Sequence, residues 1–408
     1  MLLDRTIPEP LRSTYRCDTL RVIANNTFAG LTAPFLLVTA RRLGADPLLI
    51  SLMVAVPFVG HIASLCWAGR MRSRAKKPWV IVPILLARFA FFVPLFTDSL
   101  TAYVAMVCFA GLVAVIAEPA YVTLLAGLYP DSARGLAVGR TKFEGFVFMV
   151  LATLAAGRLM TGDYDFRWLF PIAAVISMVG QVPFLRVREA PEPDGARPLT
   201  AAESARDTHR VLVRDARFRY FEIAFMICGV GLLAAKTIYP LLLVDVLHAT
   251  NMQVGLLSVG AFLLRMAGYA YWGPWIDRRY PTGAMARGLA LRTLVPVGYL
   301  AAAAVLPSIW VVALVSLFDG WGLAAQDLGF VNAIIVLAGA DRVPRYVSIH
   351  KAQNGIRGIV TPFLAVQAKA LLGWAWTFGI AAGLLALGAV LMSLVHQAVK
   401  AHARRADR

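Results

Sequence analysis

The chain has 408 residues, of which 59% are hydrophobic and only 15% are charged, and its mean hydropathy is +0.68. Soluble domains carry about 25% charged residues, so this composition excludes an ordinary water-soluble protein. Apolar runs of about 20 residues, enough to cross about 30 Å of hydrocarbon, recur along the whole length. The chain is therefore predicted to be an all-α integral membrane protein with many spans.

The net charge of +17 is distributed in a way that fits membrane topology better than nucleic-acid binding. Basic residues fall in alternate loops, namely Arg5, Arg12 and Arg16; Arg70, Arg72, Arg74, Lys76 and Lys77; Arg278, Arg279 and Arg287; and Lys400, Arg404, Arg405 and Arg408. The loops between them are short and poor in Lys and Arg, apart from Arg41, Arg42 and the turn at 158–167. By the positive-inside rule, both termini are expected in the cytoplasm, with the lipid bilayer as a partner and no nucleic acid.

Neither a metal nor a cofactor is expected. The four cysteines, Cys17, Cys66, Cys108 and Cys228, lie far apart and show no metal-site spacing and no obvious disulfide pair. The sequence contains no Walker motif and no Gly-rich phosphate loop, so ATP-driven transport is not supported. Residues 1–18 mix Pro, Asp, Glu and Arg without an apolar core, so the first span, rather than a cleaved signal peptide, is expected to direct insertion.

The apolar runs divide into twelve predicted spans, six on each side of a polar stretch. In the first half they cover about residues 19–41, 48–68, 79–96, 102–125, 136–160 and 166–185. In the second half they cover about 218–244, 253–272, 285–305, 309–337, 346–371 and 374–396. Residues 1–185 and 218–408 are expected to form two helical bundles, the second with a basic cytoplasmic tail. Residues 186–217 are expected to be a cytoplasmic linker, in which Thr200-Ala201-Ala202-Glu203 has the capping-box spacing of a surface helix.

Two short segments recur at a nearly constant offset, which indicates an internal duplication. Gly273-Pro274-Trp275-Ile276-Asp277-Arg278-Arg279 follows the eighth span, and a weaker copy, Gly69-Arg70-Met71-Arg72-Ser73-Arg74, follows the second, with 273 − 69 = 204. Pro34-Phe35-Leu36-Leu37-Val38 matches Pro240-Leu241-Leu242-Leu243-Val244, with 240 − 34 = 206. Each glycine-led segment is expected to be a tight turn at the membrane surface, where Gly273 lets two helices approach closely and Asp277 accepts hydrogen bonds from a helix N-terminus.

These segments resemble the signature loop of the major facilitator superfamily of membrane transporters. The motif residues are Gly273, Asp277 and Arg278 and, in the first copy, Gly69 and Arg74, whereas Ser73 stands where the family has Asp. A second resemblance to the family, a Pro…Arg-Gly stretch between spans four and five, runs from Glu118-Pro119 through Tyr129-Pro130-Asp131-Ser132-Ala133-Arg134-Gly135 to Gly139, with a counterpart at Asp341–Arg345.

The resemblance implies two pseudo-symmetric six-helix bundles that expose a central site alternately to each side of the membrane. It further implies a monomeric, multi-pass protein of the cell membrane, and the bacterial inner membrane is the expected location.

Polar residues inside predicted spans are the candidates for substrate binding, because each is costly to insert unless it faces a cavity or a partner. Span eleven carries His350, Asn354, Arg357 and Thr361 at i, i+4, i+7 and i+11, on one helix face. This stripe favours a cavity over a packed polar interface, with Arg357 as an anchor for an anion. The other candidates are Asn25 and Asn26 in span one, Lys236 in span seven, Arg265 in span eight, and Asp319 and Gln326 in span ten.

A second set of residues is predicted to serve coupling or gating. In the first half, Glu118 of span four faces a basic span five, where Arg140 and Glu144 form an i,i+4 pair. In the second half, Asp327 is placed against His350 and Lys351. An acid facing a base in each half indicates paired inner gates, and static structural ion pairs are the alternative.

His61 completes this set, and Glu222 is predicted to have a different position. His61 in span two is a candidate proton carrier, because histidine titrates near neutral pH, with a helix-packing hydrogen bond as the alternative. Glu222 in span seven is expected to snorkel to the membrane surface.

The predicted function is secondary active transport of a small solute, driven by protons. The candidate titrating groups are Glu118, Asp327, Asp319 and His61. Lys236, Arg265 and Arg357 outnumber the acids in the core of the second half, which favours an anionic or zwitterionic cargo; an exported drug or metabolite is the other cargo considered.

Two other functions remain open. A transporter-like scaffold or sensor without transport is favoured by Ser73 in the weaker segment. A membrane enzyme would use Glu118 or His350 on a lipid-linked substrate, but the sequence shows no cluster of His, Asp and Ser residues at a membrane face.

Overall fold

A computed structural model describes residues 7–71, 75–162, 165–187, 189, 206, 210–338 and 343–406. Within these residues the regular structure is helical throughout. Some of the predicted features fall outside the described residues: the capping-box helix at 200–203, Ser73 and Arg74 of the weaker glycine-led segment, and Asp341 and Arg342.

The first of two compact units comprises residues 1–199 together with 250–256. Its helices in chain order are α1 (Arg12–Thr32), α2 (Leu36–Arg42), α3 (Pro47–Met71), α4 (Lys77–Phe89), α5 (Leu100–Ala114), α6 (Ala117–Leu128), α7 (Asp131–Leu159), α8 (Phe166–Val179) and α9 (Gln181–Phe184). Short 3-10 turns at Glu9–Leu11 and Ala90–Leu95 precede α1 and continue α4. Several predicted spans are thus built from two helical pieces rather than one.

The second unit comprises residues 200–249 and 257–408. Its helices are α10 (Ala216–Leu241), α11 (Asn251–Arg278), α12 (Pro281–Arg292), α13 (Leu294–Ala304), α14 (Ile309–Ala338) and α15 (Val343–Ala406). The first turn of α11 belongs to the first unit. α15 contains both of the last predicted spans and is broken at Gly373, where φ is 77° and ψ is −177°.

The glycine-led segment is helical, so the turn predicted at Gly273 is wrong in position. α11 continues through Gly273, Pro274 and Asp277 as far as Arg278, and the chain turns only at Tyr280. Pro274 removes one backbone donor, but the hydrogen bonds of the neighbouring turns hold the helix together. A Cβ added at Gly273 would meet no atom within 4 Å among the described residues, so the close helix approach expected there is absent as well. Gly69 likewise lies inside α3, which ends at Met71.

The matched segments that begin at Pro34 and Pro240 both lie where the first span of a unit departs from a regular α-helix. α1 ends at Thr32 and α2 begins at Leu36, with Pro34 in the break. α10 ends at Leu241 and passes into a π turn at Leu242–Val246. Since proline cannot donate a backbone hydrogen bond, a proline at this place weakens the helix in both units. The duplication inferred from the sequence therefore has a counterpart in the backbone.

The first helix of each unit packs along the helix of the fifth span in that unit. α1 contacts α7, where the hydroxyl of Thr153 donates to the carbonyl of Gly30 over 3.0 Å, and a Cβ at Gly30 would lie 2.9 Å from the Cβ of Ala152. α10 contacts both predicted spans within α15: the guanidinium of Arg357 in span eleven lies against Gly229, and Gly388 in span twelve lies directly against Cys228. Small residues at these crossings let the backbones approach closely, as is common between membrane helices.

The outer surface is apolar. Large side chains such as Phe96, Trp310 and Leu371 are 83%, 76% and 82% exposed. Within the described residues, eight helical stretches are long and apolar enough to cross a membrane. One of them, Arg345–Ala401, is about 85 Å long at 1.5 Å per residue, which is enough for two crossings on either side of Gly373. The structure confirms an all-α, multi-pass membrane protein, while the count of twelve spans stays a prediction.

The backbone conformation at Gly373 generates the first testable prediction. Its φ and ψ lie in a region open almost exclusively to glycine, so Gly373→Ala is expected to destabilise the fold by about 1–3 kcal/mol. The matched control is Gly383→Ala, at a regular helical position where a Cβ meets nothing within 4 Å. The control should leave stability unchanged or slightly raised, because alanine favours a helix more than glycine does. Thermal unfolding of the purified proteins in detergent, followed by tryptophan fluorescence, checks this, and equal midpoints for the two variants would contradict it.

Candidate functional site

An ionic cluster in the second unit centres on Arg292, whose side chain is fully buried at the end of α12. Its Nε and Nη2 lie 2.8 and 2.7 Å from Oδ1 of Asp319, and its Nη1 donates to Oε1 of Gln326. Asp319 and Gln326 are two helical turns apart on α14, so one face of this helix presents both to the guanidinium. On the other side of the carboxylate, Nζ of Lys236 from α10 lies 3.2 Å from Oδ2.

This cluster carries a formal excess of positive charge, because two cations share one carboxylate. Its members differ in accessibility: the side chain of Lys236 is 41% exposed, that of Asp319 is 15% exposed and that of Arg292 is 0% exposed. Lys236 is thus the most exposed member of the cluster, while Arg292 holds Asp319 from the buried side.

A second cluster forms around Asp327, which follows Gln326 in α14. Nη2 and Nε of Arg265, from the middle of α11, lie 2.6 and 3.0 Å from Oδ2 of Asp327. The hydroxyl of Tyr269 donates to the same oxygen over 2.8 Å. The prediction that Asp327 faces His350 and Lys351 is therefore wrong about its partner. Sequence spacing identified the charged residues but not the neighbouring helix on which each finds its partner.

His350 pairs instead with Glu222 of α10. Nδ1 of His350 lies 3.1 Å from both carboxylate oxygens, and the amide of Asn354 contacts its Nε2. The rings of Phe225 and Phe330 lie 4.5 and 4.1 Å from the imidazole ring, centre to centre. Glu222 is 2% exposed, so the expectation that it snorkels to the surface is wrong: the buried imidazole provides the polar partner that the surface would otherwise supply.

The polar stripe of span eleven is divided between packed residues and residues with buried polar atoms that lack a hydrogen-bond partner. His350 and Thr361 are buried, which is a packed interface instead of the predicted cavity lining. Arg357 lies against Gly229, where no larger side chain would fit, and its Nη1 donates to the carbonyl of Phe225 over 3.2 Å. Within the described part of the chain, Nε of Arg357 and Oδ1 of Asn354 are buried without a hydrogen-bond partner. Unsatisfied buried groups of this kind are uncommon and keep both residues as candidates for contact with a ligand.

The first unit contains a buried network at the start of α1 that sequence analysis missed. Nη2 of Arg21 lies 3.1 Å from Oδ1 of Asp18, and the hydroxyl of Tyr121 donates to both oxygens of Asp18 over 3.0 and 3.1 Å. The guanidinium lies between the rings of Tyr121 and Phe184, at 3.9 and 4.6 Å. An acid and a base three residues apart at the edge of an apolar run is the signal that could have revealed this pair.

The polar residues at the start of α7 bond to α1 rather than to each other. The hydroxyl of Tyr15 donates to Oε1 of Glu144 over 2.9 Å, and the hydroxyls of Thr19 and Thr141 are 3.0 Å apart. The buried Glu144 thus has Tyr15 as its described partner, in place of the predicted pair with Arg140.

Asn25 and Asn26 have different surroundings. Oδ1 of Asn25 accepts from the hydroxyl of Ser177 over 2.7 Å, and this hydroxyl in turn accepts from Nε of Arg88 over 3.0 Å. Asn26 donates to the carbonyl of Val22 in its own helix over 2.9 Å. Asn25 therefore belongs to a network across three helices, whereas the contact of Asn26 is local.

The remaining candidates are not brought into these clusters by the described contacts. Glu118 is exposed at the start of α6, and His61 in α3 lies 5.8 Å from the ring of Phe58, centre to centre. Lys351 and Arg140 are half-buried. Among the described residues, no group of three or more His, Cys, Asp or Glu side chains could hold a metal ion. The roles predicted for these residues stay predictions.

Comparison with known proteins identifies the family. The family model described as Major Facilitator Superfamily matches residues 22–235 and again residues 222–407, once in each half. The chain belongs to the major facilitator superfamily. It is thus a membrane transporter by family, as the resemblance predicted. The search of curated protein sequences gives no match.

Solved structures of other transporters share the fold at low sequence identity. A mutant of the nucleoside transporter NupG is 10% identical, with 92% of this chain and 98% of that one covered and a TM-score of 0.74. A POT family transporter in complex with 5-aminolevulinic acid is 13% identical, with 96% and 97% covered and a TM-score of 0.69. A D-xylose-proton symporter is 14% identical, with 93% and 96% covered and a TM-score of 0.65. These similarities show the fold alone.

The Arg292 cluster generates the second prediction. Asp319→Asn leaves Lys236 and Arg292 without their shared countercharge, and breaking a buried ion pair in this way costs about 3–5 kcal/mol. The matched control is Asp98→Asn, because the carboxylate of Asp98 is 58% exposed and pairs with Arg167 over 2.8 Å. Loss of an exposed pair should cost less than about 1 kcal/mol. Thermal unfolding of both variants in detergent measures the difference, and an Asp319→Asn variant as stable as the control would refute the buried pairing.

Proposed function

We propose that the chain is a proton-coupled secondary transporter of a small organic anion or zwitterion. The observation that supports this most directly is the convergence of Lys236 and Arg292 on the single carboxylate of Asp319. The two bundles, residues 1–185 and 218–408, are proposed to alternate in exposing the site to each side of the membrane. The proposal includes a monomer in the bacterial inner membrane with both termini in the cytoplasm.

The substrate class follows from the charge of the cluster. Two cations and one carboxylate leave one formal positive charge among residues in the middle of membrane helices, and an uncompensated charge there is costly. A carboxylate or other anionic group of a substrate beside Nζ of Lys236 would neutralise it, and the 41% exposure of this side chain leaves room for contact. Arg357, whose buried Nε has no hydrogen-bond partner in the described structure, offers a second cationic contact.

The solved neighbours support the class of function without fixing the substrate. One is described as a proton symporter, and another is described in complex with 5-aminolevulinic acid, a compound whose name states an amino and an acid group. These descriptions apply to those proteins. The cluster of Lys236 favours a cargo that carries a negative charge, either alone or together with a positive one.

Proton coupling is proposed to act through Asp327. Its carboxylate is 33% exposed and is held by Arg265 and Tyr269 at a single oxygen. Proton binding to Asp327 would remove the ion pair and free the guanidinium of Arg265, four residues from Tyr269 on the same helix. A proton thus changes the charge next to the Lys236 cluster, since Asp327 follows Gln326 directly in α14. Protonation of Asp327 is therefore linked to the substrate site through α14.

Transport by purified protein in liposomes tests the substrate site. With an imposed proton gradient, wild-type protein should accumulate a radiolabelled organic acid or amino acid from a screened pool. Lys236→Gln should lower the rate at low substrate concentration by about 10- to 100-fold, as expected for the loss of one charge-assisted hydrogen bond. Lys400→Gln, which neutralises an exposed lysine of the basic tail, is the matched control and should transport normally. Ligand binding without flux in wild-type protein would favour the scaffold or sensor function instead.

The proton step has a separate test. Asp327→Asn should lose uphill accumulation driven by a proton gradient, because the group that exchanges the proton is gone. Exchange of labelled for unlabelled substrate across the same liposomes should persist, because this exchange needs no net proton movement. A pH-sensitive dye inside the liposomes reports proton influx with substrate. Accumulation and proton influx at the wild-type level in Asp327→Asn would rule out Asp327 as the coupling group.

A further inference from the structure

A basic cavity of 480 Å³ lies at one end of the second unit. Its wall contains four arginines, Arg210, Arg214, Arg217 and Arg345, together with Asp215 and Tyr346. The cavity lies where α10 begins, α14 ends and α15 begins, so all three helices reach the same surface there. Neither the family nor the proposed transport site accounts for it.

The wall of this cavity is held in place by buried contacts. Oδ1 of Asp215 accepts from the backbone N–H of Phe218 over 3.1 Å, and Oδ2 accepts from the hydroxyl of Tyr346 over 2.8 Å. Val211 and Tyr346 are 6% and 2% exposed and pack in the apolar core of the unit. The backbone that carries the arginines is therefore fixed.

The charge of the cavity selects an anion. Four arginines and one aspartate line it, and both oxygens of this carboxylate are already bonded within the wall. The N-terminal end of α10, a helix of 26 residues, adds its positive dipole at the same place. Guanidinium groups bind phosphate in a bidentate geometry, so clustered arginines match a phosphate better than a halide or a dispersed negative charge.

The surroundings of the cavity distinguish a lipid phosphate from a soluble one. Apolar side chains on the outer faces of α10 and α14 lie close by in the sequence and are strongly exposed: Tyr220 is 58%, Ile335 is 44% and Val336 is 50% exposed. These faces belong to stretches apolar enough to cross a membrane, where acyl chains are the expected neighbours. A ligand with a phosphate in the cavity and apolar chains along these faces satisfies both surfaces at once.

We propose that this cavity binds the headgroup phosphate of an anionic phospholipid. The arginines contact the phosphate, and the acyl chains lie along the exposed apolar faces of α10 and α14. Basic pockets between membrane helices are a recognised form of lipid headgroup site. The site is separate from the substrate cluster of Lys236, so its existence does not depend on the proposed transport function.

Native mass spectrometry of the full-length protein in detergent tests the proposal, with phosphatidylglycerol as the probe. Wild-type protein should retain one phosphatidylglycerol more tightly than phosphatidylcholine, whose headgroup has no net charge. Arg214→Gln together with Arg217→Gln should weaken phosphatidylglycerol binding by about 30-fold, and Arg214→Gln alone by about 5-fold. The matched control is Arg279→Gln, an exposed arginine after α11, which should bind as wild type does.

The thermal midpoint without lipid shows whether each variant is folded, and the single variant replaces the double one if the latter unfolds. Phosphatidylglycerol binding that is equal in wild type and a folded Arg214→Gln variant would overturn the proposal. Inorganic phosphate, added in millimolar excess as a second probe, should leave the bound lipid in place. Displacement of the lipid by inorganic phosphate would overturn the lipid assignment and identify the cavity as a site for a soluble phosphate. The assay measures no transport, so its failure and a failure of the transport proposal are distinguishable.

Discussion

The contact between Arg292 and Asp319 determines how three membrane helices of the second unit fit together. Arg292 ends α12, Asp319 lies in the middle of α14, and Lys236 reaches the same carboxylate from α10. A fully buried guanidinium cannot be left unpaired in a membrane without a large loss of solvation free energy. The positions of the three helices are therefore tied to one carboxylate, and Gln326 fixes the rotation of α14 by holding another nitrogen of Arg292. The neighbouring pair of Arg265 and Asp327 extends the constraint to α11.

Stability alone does not explain such a cluster. Well-packed apolar residues of similar size often stabilise a buried site as well as an ion pair does, since the ions lose much of their gain to desolvation. In the first unit the buried charges balance: one arginine, Arg21, pairs with one acid, Asp18, and its guanidinium lies between two aromatic rings. The second unit instead gathers two cations on one acid. The two units share a backbone plan, including a departure from regular α-helix next to Pro34 and Pro240, but they differ in the use of charge.

The sequence predicted the fold class, the membrane location and the family because composition, span length and motif residues are local properties. It also placed Asp319 and Gln326 on one helix face, which the structure confirms through their shared contact with Arg292. It could not predict partners on other helices. Glu222 and His350 are 128 residues apart, and periodicity along one helix carries no information about which neighbour it meets. The turn predicted at Gly273 failed for a different reason, because a Gly-Pro pair near a helix end is compatible with continued helix as well as with a break.

The excess charge of the Lys236 cluster has an electrical consequence for the proposed transport cycle. When the empty protein changes the side of the membrane to which its site is open, the membrane potential acts on the surplus positive charge of the site. Each elementary charge moved across 100 mV represents about 2.3 kcal/mol. A monovalent anion in the site cancels this charge, and the proton proposed for Asp327 adds one positive charge back, so the empty and the loaded protein carry the same charge. A cycle that carries one monovalent anion together with one proton therefore moves no net charge, and the proton concentration gradient rather than the membrane potential drives it.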